Sequence, residues 1–166
     1  MDISFDIRNC EGDHILVALS YYDNQIIGTL SSDLNLITLA FYDVTLIRKT
    51  GTNYVGYKIL YAISDILAKF LDENDDAVLC FYCDGLSDVH RSHLEMLPQE
   101  YRSNLFSRMF DSYILTHNEN RFINHRIEIQ DVDNPNNLQI AHFICRKEHE
   151  SAVVNLGKTI MNDSKP

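Results

Sequence analysis

The chain has no tryptophan, three prolines, six glycines and no long apolar run. Collagen-like repeats need glycine at every third position and proline-rich linkers need far more proline, so neither class applies. No segment approaches the roughly 20 apolar residues of a membrane-spanning helix, so no membrane association is expected. The stretch from Met1 to Asp13 has neither the basic nor the apolar part of a secretory leader, and a cytoplasmic location is expected. The four cysteines, Cys10, Cys80, Cys83 and Cys145, are too few for a disulfide framework and sit mostly in apolar stretches, so they are expected to be reduced. Positive charge is also scarce. With 14 Lys and Arg against 24 Asp and Glu, the net charge is −10. Such a field repels phosphate backbones, which excludes generic nucleic-acid binding, and it draws a basic protein partner.

What is present is the composition of a folded protein. At 166 residues, 45% hydrophobic and 23% charged, the chain is long enough for one core, and a single globular domain over 1–166 is expected. Ile3, Phe5 and Ile7 alternate with polar residues as in a strand. The runs His14–Tyr22, Gln25–Ser31 and Leu36–Ile47 then read as an antiparallel meander, broken by Asp23-Asn24 and Ser31-Ser32-Asp33. After Arg48–Asn53 the period changes. Val55, Ile59, Ile63, Ile66 and Phe70 mark one face of a helix, and Ala77–Cys83 is a continuous apolar strand parallel to the one before it. Pro98 opens a second helix with the stripe Tyr101, Leu105, Phe106, Met109, Phe110 and Tyr113. Arg121–Val132 and Leu138–Lys147 flank Asp133–Asn137 as a hairpin, and Ser151 caps a short last helix. The class is α+β: a mixed sheet with an N-terminal antiparallel meander, flanking helices, a C-terminal hairpin and a short helix.

Chemistry-bearing residues fall in four places. Cys80 and Cys83 match C-x-x-C, but within a strand they point to opposite faces, which suits packing better than redox or zinc chemistry. Asp84 and Asp88 follow the central strand, where open sheets bind ligands, with His90 and His93 as weak metal candidates; no metal is expected. Arg102 and Arg108 lie six apart on the second helix and so on different faces of it, and Arg102 suits an ion pair with Asp84. His125 and His142 lie on the two late strands, where a cross-strand pair is expected rather than a catalytic base. The residues do not by themselves yield a Ser-His-Asp or Cys-His arrangement. Finally, Arg48, Gly51, Thr52 and Asn53 join a strand to a helix N-terminus, a setting that receives phosphate.

The order of meander, phosphate loop, helix, parallel strand, helix and hairpin, from Gln25 to Lys147, resembles the GNAT N-acyltransferases. Their loop pattern R/Q-x-x-G-x-G/A is met here by Arg48-x-x-Gly51-x-Asn53, without the last glycine and with Tyr54-Val55-Gly56 as an extra stretch. Their helical N-x-x-A-x-x-L-Y is met by Asn104-x-x-Ser107-x-x-Phe110-Asp111, so Asp111 stands where that family has its general-acid tyrosine. The resemblance implies acetyl-CoA as cofactor and amine acylation as reaction. A second resemblance covers about 30 residues: Cys83-Asp84 with Asp88, then Arg102, Leu105, Phe106, Arg108 and Phe110, is similar to an uncharacterised family of small Bacteroidota proteins that carries no known activity. With the glycine and the tyrosine both replaced, the expected function is non-catalytic binding of a basic protein, in the manner of immunity or antidote proteins, without a cofactor. The alternative is an acyl-CoA-dependent N-acyltransferase with an unusual loop. A metal-dependent hydrolase built on Asp84, Asp88, His90 and His93 is a third reading.

Overall fold

Local alternation and periodicity set the elements in the computed structural model, which describes residues 2–10, 12–21, 39–51, 57–83, 95–130 and 138–163. In strand β1 (Asp2–Arg8), Ile3, Phe5 and Ile7 turn toward the core while Asp2, Ser4, Asp6 and Arg8 stay exposed. Strand β2 (His14–Tyr21) buries Ile15, Val17 and Leu19 on the same face and pairs antiparallel with β1. Strand β3 (Ala40–Thr50) pairs antiparallel with β2 and lies inside the sheet. It continues past Ile47 because Arg48 and Thr50 still find partners in Ile15 and His14, across an irregularity in register. The expected strand at Gln25–Ser31 lies outside the described residues.

Helix α1 (Tyr57–Glu73) buries Ile59, Ile63, Leu67, Phe70 and Leu71, a stripe at three- and four-residue spacing. It ends where the Asn74 side-chain amide donates to the Phe70 carbonyl at 2.8 Å, satisfying one of the last turn's orphan acceptors. Strand β4 (Ala77–Cys83) follows, parallel to β3, as a strand–helix–strand crossover requires. Helix α2 (Pro98–His117) starts on Pro98 and stops at Asn118 in the left-handed region, φ 48°. Strands β5 (Phe122–Gln130) and β6 (Leu138–Arg146) form the late hairpin, and a 3₁₀ turn at Lys147–His149 leads into α3 (Glu150–Asp163). Ser151 is therefore inside this helix rather than its cap, because the preceding turn already has Glu150 N–H bonded to the Lys147 carbonyl.

The sheet runs β1-β2-β3-β4-β6-β5, so the later strand of the hairpin inserts beside β4 and the earlier one takes the edge. Each face has its own core. Ile15, Val17, Leu19, Val44, Leu79 and Ile144 pack under α1 and α2, while Val78, Cys80, Ile127, Ala141 and Phe143 pack on the other face with Val153 and Leu156 of α3. The fold is α+β with a mixed sheet. No helix among the described residues is long and apolar enough to cross a membrane.

Helix α3 approaches β5 closely only because position 157 lacks a side chain: a Cβ there would stand 2.9 Å from His125 Nε2 and 2.9 Å from Ile127 Cγ2. Gly157→Ala gains about 1 kcal/mol of helix propensity but overpacks a β-branched neighbour, a cost of roughly 1–3 kcal/mol. The net effect is expected to be a lower unfolding midpoint in urea, and an unchanged or higher midpoint would show that the helix can back away freely.

Candidate functional site

Parallel strands β3 and β4 pair over only four positions, from Ala40↔Ala77 to Asp43↔Cys80. Beyond them β3 follows β2 and β4 follows β6, and the two strands part. A cavity of about 520 Å³ fills this fork, within the range of about 300–1,000 Å³ usual for small-molecule sites. Its lining comes from both faces of the sheet. On the α1/α2 side stand Val44, Leu46 and Arg48 of β3, Phe81 of β4, Leu60 and Ile63 of α1, and Arg102, Leu105, Phe106 and Met109 of α2. From the opposite side Asp43, Thr45 and Tyr82 reach it, since alternate residues of a strand point to opposite faces. Thus guanidinium groups and apolar walls line the cavity from one face of the sheet, and a carboxylate with two hydroxyls lines it from the other. The Thr45 hydroxyl donates to Asp43 Oδ2 at 3.0 Å.

At the far end of β3, Gly51 has φ +116°, a conformation that favours glycine. The Asp13 carboxyl lies directly against it: a Cβ on Gly51 would meet Asp13 Oδ1 at 2.0 Å. Asp13 is buried, accepts from the Asn9 side-chain amide at 2.8 Å, and has Arg48 Nη1 at 3.9 Å. The Thr50 hydroxyl donates to the Gly12 carbonyl at 2.9 Å, tying the start of this loop to the β1–β2 turn.

Beneath the cavity's Phe106 lies a polar chain, buried at Ser103 and His142 and reaching the surface at Arg126, that links helix α2 to the sheet. Arg126 Nε donates to Ser103 Oγ at 2.9 Å, Ser103 Oγ contacts His142 Nε2 at 2.8 Å, and His142 Nδ1 contacts Asn124 Oδ1 at 2.9 Å. One proton assignment satisfies every member: Nδ1–H donates to the amide oxygen, and Nε2 accepts the serine proton. Ser103 and His142 have no exposed surface. Desolvation, and secondarily the Arg126 charge, push the imidazole down to about 4, which keeps it neutral. The order of atoms is that of a nucleophilic triad, yet a hydroxyl sealed inside the core meets no substrate, and Phe106 lies between the ring and the cavity, 5.0 Å from His142 and stacked at 4.4 Å on Phe81. The chain therefore positions the cavity wall.

The sequence-predicted residues distribute unevenly. Arg48 and Arg102 come together at the cavity, whereas Arg108 is exposed on another side of α2, as its spacing requires. Gly51 sits at the end of β3, while Thr52 and Asn53 lie outside the described residues, as do Asp84, Asp88, His90 and His93; the Asp84–Arg102 pair is therefore outside them too. Asp111 is exposed and does not line the cavity. Cys80 and Cys83 are buried on opposite faces, and burial pushes the Cys80 thiol up strongly and Cys145 to about 12, so both behave as apolar packing groups. His125 and His142 do not pair. The register sets His125 opposite Phe143 and Arg126 opposite His142, which puts the two imidazoles on different faces.

His142 fixes a pH dependence. Its folded value near 4 lies below the ordinary value of about 6.5, so the unfolded chain takes up the proton first and stability falls as pH drops from 6.5 toward 4. The contribution is about 3 kcal/mol across that window. His142→Gln keeps one donor and one acceptor and is expected to flatten the fall in urea midpoint between pH 7 and 4.5; an identical slope in both proteins would refute the assignment.

In comparisons with protein families, curated proteins and solved structures, none matched this chain.

Proposed function

We propose that the fork between β3 and β4 binds an acyl thioester on a pantetheine-type arm and that the protein belongs to the amine-acylating class suggested by the GNAT resemblance. One observation carries the reading: two parallel strands that part after four pairs, with a cavity of about 520 Å³ lined from both faces of the sheet. A narrow arm with amide groups suits this slot, because the β3 backbone from Val44 to Arg48 borders it and extended ligands pair with such edges. The chemistry of the two sides of the cavity differs in the direction acyl transfer needs. Apolar walls with Arg48 and Arg102 suit the thioester carrier, and Asp43 on the opposite side suits an amine. The amine nitrogen forms a bond to the thioester carbonyl carbon, the C–S bond breaks, and the proton shed by the amine leaves with the thiol.

A second reading, non-catalytic binding of a basic protein, is favoured by the net charge of −10 and by an exposed surface on α1 and α2. There Tyr57 is 63% and Leu115 82% exposed, and Asp65, Asp72 and Glu119 lie close enough to Tyr113 to raise its pKa together with burial. This surface is separate from the cavity.

Titration calorimetry with S-acetylpantetheine separates the two. Binding at micromolar to sub-millimolar strength is expected for the wild type, with loss of more than tenfold in Leu105→Trp, which fills the cavity from a half-buried position. Asp43→Asn is expected to leave that binding within twofold and to lower acyl transfer to a primary amine by at least tenfold. No heat from any acyl-pantetheine at millimolar concentration, with the fold intact, would favour the protein-binding reading instead.

A further inference from the structure

The end of the cavity nearest Gly51 is where a phosphate on a bound arm would meet positive charge, because Arg48 lines the cavity there. In this chain the position is already taken. The Asp13 carboxyl lies against the Cα of Gly51, close enough that even a methyl group would overlap its Oδ1, and it is held there by the Asn9 amide. Arg48, the cavity's cation at this end, has the same carboxyl at 3.9 Å, so part of its field is already compensated. Asp13 is 8% exposed and anchored in the β1–β2 turn, whose geometry is fixed by Thr50 and Gly12. A phosphate here would have to displace a buried, partnered carboxylate or sit beside it, and like charges at short range are costly. The net charge of −10 acts the same way at longer range.

We propose, resting on the thioester reading above, that Asp13 is a specificity-determining residue that makes the site select for the acyl-pantetheine arm itself and deny a contribution from a pyrophosphate or nucleotide attached to it. The substrate class is then an acyl-pantetheine thioester whose recognition ends at the arm, whether the arm is free or carried on a larger group that stays outside the cavity.

Competition calorimetry with S-acetylpantetheine, S-acetyl-4′-phosphopantetheine and acetyl-CoA reads this directly on the wild-type protein. Dissociation constants within about threefold of one another are expected, a phosphate or nucleotide adding nothing. In Asp13→Asn, which keeps the shape and the Asn9 contact, acetyl-CoA is expected to bind about tenfold tighter while S-acetylpantetheine is unchanged; Asp13→Ser serves as a second variant should the first fold poorly. A wild-type preference of tenfold or more for acetyl-CoA, or an Asp13→Asn protein that gains equally for all three ligands or not at all, would overturn the proposal. If none of the three binds to folded wild type or variant, the thioester reading itself fails, an outcome distinct from a lost preference.

Discussion

Everything at the cavity depends on the parallel pairing of β3 and β4 ending after four residues. Parallel strands exchange slanted, evenly spaced hydrogen bonds, and each strand here has a stronger commitment elsewhere: β3 to β2 from Tyr42 to Thr50 and β4 to β6 in an antiparallel ladder. Sheet twist then carries the two antiparallel halves away from each other, and the space between them widens toward the carboxyl ends. The helices do not close it. Leu60, Ile63, Leu105 and Met109 line the gap rather than filling it, although other positions of the same helices pack tightly on the sheet. A cavity thus arises from the geometry of pairing.

Charge is divided as sharply as space. At the rim of the α2 contact the exposed Arg126 bonds the Ser103 hydroxyl on one side and has Glu128 at 2.7 Å on the other, while inside it His142 is kept neutral between Ser103 and Asn124. A buried imidazole with both nitrogens bonded fixes the register of helix against strand more tightly than an apolar contact would, because sliding α2 by one residue would strand two polar atoms at roughly 1–3 kcal/mol each. Phe106, one turn along from Ser103, inherits that precision and presents its ring to the cavity. Exposed pairs are of another kind. Lys69–Asp65 at 2.7 Å and Arg121–Asp72 at 2.8 Å are open to solvent, and such contacts contribute little each.

The fold was largely legible because its signals are local. Ala77–Cys83 is bounded by an acidic run and reads as a strand at its observed limits, and Pro98 marks the first residue of α2. The site was legible only in part. Arg48, Gly51 and Arg102 carried recognisable chemistry, whereas Ser103 and His142 lie 39 residues apart and neither segment says which residue the other's side chain meets. Asp13 did not stand out because its role depends on Gly51, brought beside it by strand register. Asp43 was hidden for the same reason: a carboxylate inside a β-branched and aromatic run looks like a solvated position until the neighbouring strand departs. His142 in an otherwise apolar strand was the one available clue, since a buried histidine implies hydrogen-bond partners.

The placement of β6 also bears on how the chain is made. Its residues are the last to join the sheet in sequence but take an interior position, between β4 and the edge strand β5. Until they are synthesised, β4 has one ladder open to solvent, His142 is missing from beneath Phe106, and the wall of the cavity has no floor. A nascent chain can assemble the β1–β3 ribbon early, because those contacts are short in sequence. The half bearing β4 must wait. A chain that ends before β6 leaves the apolar edge of Val78–Phe81 unpaired, a stretch well suited to unwanted pairing with other chains.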